Sequence, residues 1–82
     1  MEYSKLSKLL KPNVEELYEI EDCEMFFEDN NLNINEYNKK WRFIIFSYTT
    51  DDFNSVINQL DSNNLDYTIE TDYLNLFYIL IK

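Results

Sequence analysis

The chain has 82 residues, with 16 acidic and seven basic side chains, no histidine and a formal net charge of −9. That length holds one domain, so residues 1–82 are read as a single small acidic unit, and its 45% hydrophobic and 17% aromatic content sets it apart from acidic disordered tails. A lone cysteine, Cys23, excludes an internal disulfide framework and a four-ligand zinc site, and seven outnumbered cations argue against direct nucleic-acid binding through a basic face.

In chain order, Ser4 is placed to cap a short helix whose Leu6, Leu9 and Leu10 form one face, with Pro12 as its stop. Asn13 followed by Glu16 resembles a capping box, with Val14, Leu17 and Tyr18 at helical spacing, so a helical turn or two is expected there. A strand is then expected over residues 23–28, with Cys23, Met25 and Phe27 on one face. The asparagine-rich stretch from Asp29 to Asn38 reads as a loop, with room for a short strand near Leu32 to Asn35. Residues 41–48 are the clearest strand, dense in aromatic and β-branched side chains.

Thr49 or Thr50 then caps a second helix, with Asp51 and Asp52 in its first turn, where the dipole favours negative charge. Phe53, Val56, Ile57 and Leu60 form its core-facing stripe, and Asn63 and Asn64 are natural left-handed caps. Tyr67, Ile69 and Thr71 alternate as a strand, and a turn near residues 72–75 leads into a last strand over 76–81. The expected fold is α+β: a four-stranded, mainly antiparallel sheet with two helices on one face, in the order α-β-β-α-β-β. A circularly permuted ferredoxin-like fold has this order, and residues 41–71 have room for a parallel crossover.

Two expected strands, 41–48 and 76–81, are apolar on both sides, and two helices can cover only one face of a sheet. The second face then needs a cover, for which a homodimer is the simplest candidate and a curled sheet the alternative. No segment resembles a targeting signal and none is long and apolar enough to span a membrane, so a soluble cytoplasmic protein is expected.

The charge is segregated. From Pro12 to Asn38 there are nine acids, Glu15, Glu16, Glu19, Glu21, Asp22, Glu24, Glu28, Asp29 and Glu36, and no base; the rest of the chain sums to zero. In helical form Glu15, Glu19 and Asp22 share a stripe, and in extended form Glu24 and Glu28 share a face, with about 6.6 Å for every two residues. DNA presents a line of anions of comparable density. A basic protein surface would relieve the self-repulsion and be steered to it; the competing reading is a solvated acidic face. Tyr18 and Tyr37 lie within this segment and are candidate interface anchors, because tyrosine supplies contact area with a polar tip.

Catalytic equipment is sparse. Without histidine there is no Ser–His or Cys–His dyad, and without glycine no phosphate-cradling loop. Asp29, Asn31 and Asn33 match the first EF-hand ligand positions, but Ile34 replaces the required glycine and Lys40 the terminal glutamate. No enzymatic activity, metal or cofactor is expected, and Cys23 is assigned to the core.

Glycine and alanine are absent, while asparagine, isoleucine, tyrosine, phenylalanine and lysine make up nearly half of the chain. An AT-rich genome is the simplest cause, and asparagine must then take the left-handed positions usually filled by glycine. In size, acidity and composition, though through no motif, the chain resembles the small inhibitors that phages and archaeal viruses deploy against host defences, such as anti-CRISPR proteins and other DNA mimics. The resemblance implies a non-enzymatic inhibitor that occupies the nucleic-acid-binding surface of a basic target protein. An immunity protein or antitoxin against a basic toxin, and a small dimeric adaptor, are the alternatives.

Overall fold

A computed structural model describes residues 2–10, 16–46 and 50–82. Its elements are α1 (Tyr3–Leu10), β1 (Glu16–Glu19), a 3-10 turn (Ile20–Asp22), α2 (Glu24–Asp29), α3 (Ile34–Lys40), β2 (Phe43–Phe46), α4 (Thr50–Ser62), β3 (Tyr67–Thr71) and β4 (Phe77–Ile81). The strands form one antiparallel sheet in the order β1-β2-β4-β3. The α+β class and the four-stranded antiparallel sheet are as the sequence suggests. The simple α-β-β-α-β-β order is not, because the described residues include four helices, two of them between β1 and β2.

The differences fall between residues 16 and 40. The expected helical turn over Leu17 and Tyr18 is strand β1, with Leu17 opposite Ile45 and Tyr18 opposite Ile44. The expected strand over 23–28 is mostly helix α2, and the expected loop over 29–38 contains most of α3. Helix wins because the inward positions are Cys23, Phe26 and Phe27, at helical spacing, whereas Met25 is 76% exposed. Ser4 and Thr50 lie inside their helices, not before them. Pro12, the Asn13–Glu16 capping box, Glu15, Tyr48 and Thr49 involve positions outside the described residues.

Asparagine terminates α2 and α4. Among the described residues the left-handed ones are Asn31, Asn64 and Asn75, with φ of 56°, 54° and 63°. At α2, Leu32 N–H donates to Phe27 O at 2.8 Å and Asn31 N–H to Glu28 O at 3.0 Å. At α4, Leu65 N–H donates to Leu60 O at 3.0 Å and Asn64 N–H to Asp61 O at 3.2 Å. Both are Schellman closures, with the following leucine packed on the core. Asn33, considered above as a calcium ligand, instead caps α3 by accepting from Asn35 N–H at 3.0 Å.

Two cores result, one on each face of the sheet. Leu6 and Leu10 of α1 and Val56 and Leu60 of α4 pack on Leu17, Phe43, Ile45, Ile79 and Ile81. On the other face Ile20 and Phe27 pack on Ile44, Tyr78 and Leu80, with Phe26, Leu32, Ile34, Tyr37 and Trp41 around them. The chain therefore covers its second face itself. Short helices hidden in the acidic segment do this, so a homodimer is not needed to cover that face.

Candidate functional site

The described acids of the segment lie on β1, the 3-10 turn, α2 and α3. The β1–β2 register puts Glu19 on the first face with Leu17 and Phe43, and the acids from Glu21 onward follow in the turn and in the helices over the second. Glu16 and Glu19 sit on edge strand β1, opposite Phe46 and Phe43, and are half-buried. Glu21 and Asp22 lie in the 3-10 turn, Glu24, Glu28 and Asp29 on α2 and Glu36 in the first turn of α3, and these six are exposed. The stripe expected from Glu15, Glu19 and Asp22 does not form. Glu19 is in a strand and Asp22 in the following turn, while Glu15 lies outside the described residues. Glu24 and Glu28 do share a face, but as i, i+4 neighbours on α2 and not as alternate residues of a strand.

None of the six exposed acids forms an ion pair among the described residues. Lys82 Nζ pairs with Asp66 Oδ2 at 3.9 Å, both outside the acidic segment. Lys40 and Lys82 lie over the Trp41 ring at 5.4 and 6.0 Å, and Arg42 lies over Phe43 at 5.3 Å. Cation–π contact helps to fix these side chains against aromatic rings. Glu28 and Asp29 moreover occupy the last turn of α2, which carries no base, and there the dipole disfavours anions. Local helix energetics therefore oppose these two acids.

The candidate anchors separate. Tyr18 is 39% exposed on β1 and meets Phe46 edge-on at 6.1 Å. Desolvation, and then the Glu16 carboxylate, raise its hydroxyl above the ordinary tyrosine range. Tyr37 is committed internally: its ring packs on Phe27 at 5.2 Å and its hydroxyl donates to Glu70 Oε1 at 3.2 Å. Burial first, then Glu70, raise that hydroxyl too. Met25 stands exposed among Glu24, Glu28 and Asp29, whereas a strand over 23–28 would set it on one face with Cys23 and Phe27. Helical spacing around the Phe26–Phe27 pair was the signal for it.

Cys23 is half-buried and its Sγ–H contacts Glu19 O at 3.7 Å. Burial, then Asp22 and Glu16, push the thiol up to about 11. Such a thiol is protonated at neutral pH and a poor nucleophile. No group of three or more acidic, histidine or cysteine side chains is arranged to hold a metal ion among the described residues. No helix among them is long and apolar enough to cross a membrane.

A second surface was not foreseen. The β3–β4 hairpin tip exposes Tyr73, Leu74, Leu76 and Phe77, and borders an open groove of about 840 Å³ that reaches Phe26, Phe46 and Phe53. The run Tyr73, Leu74, Leu76 and Phe77 in a turn, where polar residues are usual, was its sequence signal. Comparison with models of known protein families, with curated proteins and with solved structures gave no match.

Proposed function

We propose that the protein is a non-enzymatic acidic inhibitor that binds the basic, nucleic-acid-binding surface of a target protein through the layer from Glu16 to Glu36. The carrying observation is that six exposed carboxylates lie on one short run of turn and helix with no ion pair to any base among the described residues. Two of them stand at the helix end that disfavours them. Glu24 and Glu36 stand in helix first turns, where the dipole favours them, but folding gains nothing from Glu28 and Asp29, whereas a cationic partner would gain from all six through steering and charge pairing. Met25 and Tyr18 supply apolar contact within or beside the acids.

This reading takes a host-cell cytoplasm as the setting and a phage or virus as the source, following the composition. It also takes the frame as permuted ferredoxin-like. In its support, β4 lies between β2 and β3, which run the same way on either side of α4 in the chain, and α1 leads into the outer strand β1. The competing function is an immunity protein or antitoxin against a basic toxin, which would use the same surface.

The test is a pull-down from host lysate with the wild-type chain and with a Glu21→Lys, Glu24→Lys, Glu28→Lys variant. Capture of a nucleic-acid-binding protein by the wild type alone, weakened by salt and competed by DNA or RNA, is expected. Equal capture by the variant refutes the reading. A captured toxin not displaced by nucleic acid decides for the antitoxin.

A further inference from the structure

The sheet has two edges, and they are finished differently. Along β1, Ile20 N–H donates inward to Arg42 O at 3.0 Å. By alternation in the β1–β2 register the main-chain groups of Leu17 and Glu19 point outward. Both outward carbonyls are engaged: the Tyr3 hydroxyl donates to Leu17 O at 2.7 Å, and the Cys23 thiol contacts Glu19 O at 3.7 Å. Glu16 and Glu19 add charge, so this edge is closed to another strand.

Edge strand β3 has no such protection. Asp72 N–H donates to Leu76 O at 2.9 Å and Lys82 N–H to Asp66 O at 3.1 Å. In the β3–β4 register the even-numbered residues therefore face β4, and the N–H and C=O groups of Tyr67, Ile69 and Thr71 point away from the sheet. None of those outward groups has a hydrogen-bond partner among the described residues. The strand contains no proline, lysine or bulge, and Ile69 is 40% exposed on it.

The side chains flanking this open edge are sorted by face. Tyr67, Ile69 and Thr71 lie on the α4 side, continuing to exposed Phe77 opposite Thr71. Thr68 and Glu70 lie on the other side, with Asp66 and Asp72 at the strand's ends. We propose that β3 is a strand-addition site for an extended segment of a partner protein in which basic and apolar residues alternate. Its apolar residues would cover Ile69 and its lysines or arginines would meet Glu70, Asp66 and Asp72, while six outward main-chain groups supply the pairing. A second copy fits worse, because antiparallel pairing centred on Ile69 sets Asp66 directly opposite the Asp72 of the copy. This site is on the edge opposite β1 and stands independently of the acidic layer proposed above.

The probe is a seven-residue peptide of alternating lysine and valine, with blocked ends, titrated into the full chain and followed by amide NMR and hydrogen exchange. The Tyr67, Ile69 and Thr71 amides are expected to shift and become protected. A fully N-methylated peptide of the same charge should bind at least about tenfold more weakly, equivalent to about 1.4 kcal/mol. Ile69→Lys, and separately Thr71→Pro, which removes only an outward donor, should weaken the native peptide to a similar degree. Glu24→Lys with Glu28→Lys should not. Equal binding of the N-methylated peptide, or shifts confined to residues 21–29, overturns the proposal in favour of charge attraction alone. Protection of the three amides without peptide, with a dimer in sedimentation, overturns it in favour of a second copy.

Discussion

Replacing Glu28 by lysine should make the protein more stable while weakening the binding proposed for it. Glu28 is exposed, one turn beyond Glu24 on α2 and one residue from that helix's end. The i, i+4 pair is now repulsive by about 0.2–0.5 kcal/mol, and reversal makes it attractive by a similar amount with the glutamate on the favourable N-terminal side. A cation in the last turn is favoured by about 0.3–1 kcal/mol through the dipole. The backbone caps, Asn30 N–H and Asn31 N–H donating to Glu28 O, do not involve the side chain. Glu28→Lys should therefore gain about 1 kcal/mol, which for a chain this small raises the melting temperature by about 4–8 °C. Thermal unfolding followed by circular dichroism at low salt reads the gain. In 1 M salt, where the screening length falls to about 3 Å, most of it should vanish. An unchanged or lowered melting temperature at low salt would show that these acids are already satisfied, and the argument that folding does not want them would fail.

Further predictions address the two cores, the closed edge and the thiol. Phe27→Ala should cost about 3–5 kcal/mol in urea unfolding, as for a true core aromatic; a loss under 1 kcal/mol would mean that the second face is not a core in solution. Tyr3→Phe removes the hydroxyl from Leu17 O and should cost about 1 kcal/mol, with faster exchange at β1; unaltered stability would count against the edge cap. Cys23 should react slowly with iodoacetamide at pH 8 and progressively faster toward pH 11, and rapid labelling at pH 8 would contradict its burial. Because its folded pKa is raised above the ordinary thiol value, the thiol's contribution to stability is complete below about pH 9 and declines as pH rises through about 11. A flat stability profile across that window, after allowing for tyrosine titration, would reject it.

Elements with a single strong period were legible in the sequence. The Phe53, Val56, Ile57, Leu60 stripe is helix α4, and the alternation of Tyr67, Ile69 and Thr71 is strand β3. The left-handed role of asparagine follows from chemistry once glycine is absent, and Asn64 takes it. Residues 16–40 were misread because each local signal there is short. Leu17 and Tyr18 fit a helix as well as a strand, and the adjacent pair Phe26–Phe27 satisfies no clean period of two. What decided the matter was tertiary: the two-sided apolar character of β2 and β4 requires a cover, and α2 and α3 supply it. The acidic residues were all located in the sequence, but their shared geometry was not, since it depends on which backbone carries them.

That dependence gives the acidic layer its shape. Had residues 23–28 been a strand, Glu24 and Glu28 would have formed a straight row along a sheet. As helix, the same residues turn Phe26 and Phe27 inward onto Phe46, Tyr78 and Tyr37, and leave Glu24, Met25, Glu28 and Asp29 outside. One periodicity thus fills the second core and displays the charge. The two roles are separable at each position: inward substitutions should be read out in stability and outward ones in binding. The segment that carries all of the excess charge is also the segment that closes the second face, so its acidity cannot be removed by deletion without exposing the core beneath. Substitution of the outward carboxylates, residue by residue, is the perturbation that distinguishes a recognition surface from a solvated cover.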